Sequence, residues 1–107
     1  MTEYEVSWTD TARRDLTNIV EFIAEEELQA ALAVLARLEH RANALCNHPE
    51  RGRLVPELRA VDIFHYRELI ERPWRIVYRI EGRRVLVIAL LDGRRELQSL
   101  LLQRLLE

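Results

Sequence analysis

Trp74-Arg75-Ile76-Val77-Tyr78-Arg79-Ile80-Glu81-Gly82-Arg83-Arg84-Val85-Leu86-Val87-Ile88-Ala89-Leu90-Leu91 is the stretch that decides the fold. Trp74, Ile76, Tyr78 and Ile80 alternate with Arg75, Val77 and Arg79, and a period of two residues is that of a strand with two distinct faces. Glu81-Gly82 turns the chain, glycine supplying a positive φ. Val85 to Leu91 is apolar at every position, which marks a strand buried on both faces and therefore central. Asp92-Gly93-Arg94-Arg95 ends it.

Upstream, Glu71-Arg72-Pro73 reads as a turn, and Phe64, Tyr66 and Ile70 fall on one side of a third strand. Val55-Pro56-Glu57-Leu58-Arg59 is irregular or an edge segment, and Glu50-Arg51-Gly52-Arg53 is a loop. The first half of the chain has another rhythm. Tyr4, Val6 and Trp8 line one face of a short strand over residues 3–8. Thr9 or Asp10 then caps a helix in which Ala12, Leu16, Ile19, Val20 and Ile23 recur at helical spacing. Glu25-Glu26-Glu27 is read as the solvated turn of a helical hairpin. The second helix carries Leu28, Leu32, Leu35, Leu38, Ala42 and Leu45, and stops near Asn47-His48-Pro49 because proline disfavours a helical residue before it. After the central strand, Leu97, Leu100, Leu101, Leu105 and Leu106 form the stripe of a short terminal helix. The expectation is an α+β fold: N-terminal strand, helical hairpin, three-stranded antiparallel meander and short C-terminal helix, in a single domain spanning 1–107.

Composition narrows the function classes. Apolar residues make up 49% and charged residues 32% of 107, an ordinary globular balance. The lone Cys46 can make neither an internal disulfide nor a metal site by itself, and its place beside the apolar stripe suits a core thiol. Met1-Thr2-Glu3-Tyr4-Glu5 is acidic and lacks the apolar stretch of a signal peptide, so the expected location is the cytoplasm. No apolar run is long enough to span a membrane. There is no glycine-rich phosphate loop, no cysteine pair and no histidine pair at ligand spacing, so no cofactor and no metal are expected. His48, near a helix C-terminus, suits a structural role there.

Charge is unevenly spread. Residues 1–50 carry four arginines against ten carboxylates, net −6, and residues 51–107 carry twelve against eight, net +4. Arg75 and Arg79 share a strand face, and Arg94 and Arg95 follow the end of the next strand. Antiparallel pairing sets the start of one strand beside the end of the next, so Arg75 is expected near Arg94 and Arg95. Clustered guanidiniums repel one another. Either an anionic partner meets them, or Glu68, Glu71, Asp92 and Glu96 neutralise them within the chain. Trp74 beside them packs at the sheet end or stacks on a partner.

At these residues the chain resembles the RelE/ParE superfamily of bacterial toxins. The matching segments are Tyr66-Arg67-Glu68-Leu69, Trp74-Arg75-Ile76-Val77-Tyr78-Arg79 and the apolar strand ending in Gly93-Arg94-Arg95, with the hairpin, the Pro49 and Gly52 loop and the N-terminal strand in the expected order. The resemblance covers nearly the whole chain. It departs at Asp92, where many relatives carry histidine before the Gly-Arg-Arg, and in a hairpin turn shorter than usual.

That resemblance implies a toxin neutralised by a cognate antitoxin that wraps it with a helix and an extended segment; Leu97, Leu100, Leu101 and Leu105 are the expected contacts. RelE-like members cut mRNA on the ribosome, which needs a proton acceptor, a proton donor and cations for the phosphate. Arg75, Arg95 and His65 would be the residues of such an enzyme here. ParE-like members instead bind DNA gyrase and stabilise its cleaved complex. The segment Glu96 to Gln103 offers neither the tyrosine nor the histidine that cleaving members carry there, which favours the ParE-like reading. Arg75, Arg79, Arg94, Arg95 and Trp74 would then contact the target, with no sequence-specific DNA contact. A member that has lost toxicity and only binds an antitoxin is the third reading.

Overall fold

A computed structural model of the chain describes residues 3–93 and 97–106. The first strand, β1 (Glu5–Trp8), leads into helix α1 (Asp10–Ala24) and helix α2 (Leu28–Asn43). Thr9 caps α1, its side-chain oxygen accepting from Ala12 N at 3.1 Å. The hairpin turns at Glu25–Glu27 as expected, and the turn has a second use: Glu27 caps α2, its carboxylate accepting from Gln29 N at 2.8 Å. Two short 3₁₀ turns follow at Ala44–Cys46 and Pro49–Arg51. Next come β2 (Arg53–Leu54), the four-residue helix α3 (Pro56–Arg59), β3 (Arg67–Glu71), β4 (Trp74–Glu81), β5 (Arg84–Asp92) and α4 (Gln98–Leu105).

The five strands form one sheet in the order β1-β5-β4-β3-β2. β3, β4 and β5 make the expected antiparallel meander, and β5 lies inside the sheet, with β1 parallel on its other side. The third strand begins at Arg67, later than its alternation suggested. Phe64 lies outside it and is exposed.

The sheet is covered on both faces. Leu38, Ala42 and Leu45 of the hairpin side pack on Ile76, Tyr78, Val85 and Leu90. On the other face Val55, Leu58, Leu97 and Leu101 pack on Val77, Ala89 and Leu91. The expected stripe of the second helix holds from Leu35 through Leu38 and Ala42 to Leu45 and departs only at its start. Ala31 is buried, whereas Leu28 and Leu32 face outward.

β5 keeps its two-residue period only in halves. Tyr78 pairs with Val87 and Val77 with Ala89, so Ile88 is the extra residue of a β-bulge. Ile88 and Ala89 consequently belong to the same core, opposite the one that holds Val85, Val87 and Leu90. β1 pairs with β5 only as far as Val87. Beyond it, side chains take over the exposed backbone. Asp15 of α1 accepts from Leu90 N at 3.0 Å, and Arg104 of α4 donates to Ile88 O at 3.1 Å and to Asp15 at 2.7 Å. This clasp ties the first helix, the central strand and the last helix together.

Candidate functional site

The expected arginine corner sits where β3, β4 and the end of β5 meet. Arg75 pairs with Leu91 across the β4–β5 ladder, and its side-chain carbons come within 3.2 Å of where a Cβ on Gly93 would stand. Arg75 therefore lies beside the end of β5, as antiparallel pairing requires. Arg94 and Arg95, which follow Gly93, lie outside the described residues.

Arg75 is not a free cation, however. It is 7% exposed. Its Nε donates to Glu68 at 2.6 Å, and its two terminal nitrogens grip the carboxylate of Glu57 at 2.7 and 2.6 Å. The second oxygen of Glu68 accepts from Arg53 at 2.7 Å. Four side chains from β2, α3, β3 and β4 thus alternate in sign, and the side chain of Glu68 is entirely out of solvent. The fork of hydrogen bonds from Arg75 holds the Glu57 carboxyl below its ordinary range, partly opposed by burial. Glu57 in turn raises the Arg75 guanidinium above its ordinary value, so this charge stays on. Two carboxylates, not an external anion, offset the buried cation. Glu68 was an expected partner. Glu57 was not: its segment read as irregular, and only the turn of α3 swings it over the sheet.

The other expected target contacts separate from this corner. Arg79 lies four residues further along β4, about 13 Å at roughly 3.3 Å per residue. There it donates to the Tyr66 hydroxyl at 3.2 Å and pairs with Glu81. The Tyr66 bond is the main cause that raises its pKa, with Glu81 adding to it against burial. His65 is at that same far end, its ring 4.6 Å from the ring of Tyr66. A catalytic pairing of Arg75 with His65 is therefore corrected: antiparallel pairing of Ile70 with Arg75 sends His65 to the opposite end of β3. Trp74 is half-buried at the rim, with the Arg37 guanidinium carbon 5.7 Å from its ring centroid.

A groove of about 380 Å³ opens at the corner, lined by Arg53, Ile70, Arg72, Trp74, Arg75 and Gly93. Arg53 and Arg72 are exposed and give it a cationic rim over the locked Arg75–Glu68 floor. Behind it, Arg37 and Arg41 of α2 share Glu71 at 2.8 and 2.9 Å, which pins the hairpin to the β3–β4 turn. At the Pro49–Gly52 loop, Tyr78 accepts from Gly52 N at 3.0 Å and donates to Pro49 O, and burial pushes its phenol up. Gly52 has no room for a side chain: a Cβ would stand 2.6 Å from Glu68 O.

The expected antitoxin contacts divide. Leu97 and Leu101 are fully buried in the second core and offer no surface, a correction to the expectation, because α4 folds back over the sheet. Leu100 and Leu105 are half-buried beside it. Among the described residues no cluster of three or more His, Cys, Asp or Glu could hold a metal ion, and no helix is long and apolar enough to cross a membrane.

Comparison with known proteins gives one consistent picture. The family model described as the ParE toxin of the type II toxin–antitoxin system parDE matches residues 6–97. The chain is 31% identical over 90 residues to Toxin ParE3 of Caulobacter vibrioides, covering 79% of this chain and 82% of that one. It is 42% identical over 51 residues to Toxin RelE2 of the same organism, covering 48% and 58%. Its fold matches a chain of the chromosomal ParDE system of P. aeruginosa with a TM-score of 0.68 at 19% identity, over 84% of this chain and 96% of that one. It also matches a chain of the RelBE2 toxin–antitoxin complex of Mycobacterium tuberculosis with a TM-score of 0.62 at 24% identity, over 85% and 99%.

Proposed function

Because the chain belongs to the ParE toxin family of type II toxin–antitoxin systems, we propose that it inhibits DNA gyrase by binding and is neutralised by a cognate antitoxin. Residues 1–107 act as one toxin domain in the cytoplasm, where expression without the antitoxin arrests growth. The observation that carries this reading is the state of Arg75. The strand arginine at the heart of the corner is locked between Glu57 and Glu68, and His65 lies at the other end of β3. A rigid corner with a cationic rim supports binding to an anionic surface better than it supports proton transfer. Arg53, Arg72 and Trp74 form the target-facing rim, and Arg94 and Arg95 continue it in sequence.

The test is a gyrase supercoiling and DNA-cleavage assay with the purified chain. Supercoiling should be lost and cleaved DNA should accumulate. Unimpaired gyrase at saturating protein would overturn the proposal. The likeness of half the chain to Toxin RelE2 supports a second reading, a ribosome-dependent mRNA endonuclease. New mRNA ends by primer extension during translation would establish it, and their loss in Arg95→Ala would assign the residue.

A further inference from the structure

Two grooves meet at Pro73 and Trp74. The one on the hairpin side holds about 410 Å³, and Phe22, Leu100, Asp15, Asp92 and Arg104 are among its lining residues. Asp15 grips Arg104 at 2.7 Å, so carboxylates outnumber cations there among the described residues. Phe22 is 75% exposed. Beyond it the hairpin turns through Glu25, Glu26 and Glu27, and from Leu16 to Ala36 it carries no arginine or histidine. The groove on the other side is the arginine corner. Among the described residues no carboxylate lines it, and Arg53 and Arg72 form its exposed rim beside Ile70. Behind that rim Arg37 and Arg41 share the one carboxylate of Glu71, which leaves positive charge in excess.

One surface therefore carries an apolar divide with an acidic patch on one side and a basic patch on the other. Glu25 and Glu26 follow Phe22 by three and four residues, so they share its side of the helix. Neither carboxylate makes an ion pair among the described residues, and neither does the Arg72 guanidinium. Geometry selects the partner. A second copy, turned about a two-fold axis through the divide, brings its arginine rim to the first copy's hairpin tip and its own tip to the first copy's rim. Both patches are then matched, and the match occurs twice. A partner of a single charge would match one patch and be repelled by the other. The halves of the chain extend the same complementarity, with net −6 over residues 1–50 and net +4 over residues 51–107.

We infer that the chain associates with a second copy of itself through this face as a two-fold symmetric dimer. Phe22, Pro73 and Trp74 of both copies form the apolar centre. Glu25 and Glu26 of each copy face Arg53 and Arg72 of the other, which places the charges at the periphery, where an interface tolerates them. The rim covered in this way is the one that the proposed function turns toward gyrase. The dimer thus holds the target face closed, and dilution opens it. That consequence alone rests on the gyrase reading.

The experiment is gel filtration with light scattering on the full chain and two charge-reversed variants. One variant carries Glu25→Arg with Glu26→Arg, and the other carries Arg72→Glu. Glu27 and Arg53 stay, because they cap α2 and pair with Glu68. The mass of the wild type should rise from one chain toward two between about 1 and 100 µM at about 50 mM salt. Association should weaken at least about tenfold at about 500 mM salt. Each variant alone should stay monomeric with an unchanged melting temperature, and an equimolar mixture of the two should dimerise, because the reversed charges now oppose each other. A wild type that is monomeric at every concentration, variants that dimerise as it does, or a mixture that stays monomeric would overturn the inference. So would masses that climb beyond two chains, since a head-to-tail contact does not close. Should reversal lower the melting temperature, Glu25→Gln with Glu26→Gln must still weaken the dimer, and an unweakened dimer would overturn the inference equally. The tip-reversed variant should inhibit gyrase at a lower concentration than the wild type. Absence of gyrase inhibition in both, with the dimer intact, would sink the gyrase reading alone.

Discussion

Over Leu38, Leu45 and Ile76 the hairpin face of the sheet closes with apolar side chains, whereas the opposite face closes with Val77 and Leu101 along part of its length and with four charged side chains at its corner. The two faces fail differently when cut. An apolar side chain shortened to alanine leaves a cavity whose cost depends on how far the surroundings relax. A charge removed from the corner leaves its partner buried and unmatched, and burial without a partner costs more than the pair contributed.

The sharpest break is therefore Glu68→Ala. It strips Arg75 of its fully buried partner and should destabilise the fold by about 3–5 kcal/mol, measured by urea unfolding. An effect under about 1 kcal/mol would mean that Glu57 alone satisfies Arg75. Gly52→Ala comes next, at about 1–3 kcal/mol, because the added methyl meets Glu68 O and Tyr78 and the backbone of β3 must move. Thermal melts of both variants place them on one scale.

Acid tests the corner without changing its shape. Glu57 has a folded pKa below its ordinary 4.5, so the stability it contributes is present above that value and is lost as pH falls through the folded one. Wild type should lose stability below about pH 4.5 more steeply than Glu57→Gln, read as unfolding midpoints between neutral and acid pH. Parallel curves would show that the Arg75–Glu57 fork is not linked to folding. The smallest effect belongs to Arg37→Ala, whose pair with Glu71 is half in solvent. It should cost less than about 1 kcal/mol and fade with added salt.

How far each face was legible follows the same division. The hairpin, its turn at Glu25–Glu27, the alternation of β4 and the burial of β5 were all readable, because apolar periodicity records burial residue by residue. Where small residues matter the record thins, as with Ala31, which took the inward place that Leu28 and Leu32 were expected to hold. At the corner the record misleads. An arginine between apolar neighbours reads as a surface cation, and nothing local to Arg75 points to Glu57, 18 residues away and on a helix of four residues. The same holds for Arg104 and Asp15, which are 89 residues apart. Long-range ion pairs have no period, so only topology brings them into view.

The doubled pair Ile88–Ala89 makes β5 two half-strands out of phase. Odd-numbered positions before it look toward the hairpin and even-numbered ones after it do so. A substitution rule learned on Val85 and Val87 therefore inverts at Leu90. Any relative whose central strand runs straight will be offset by one position from Ala89 onward, so equivalences drawn at Asp92 and Gly93 need that single-residue correction before side-chain roles are transferred.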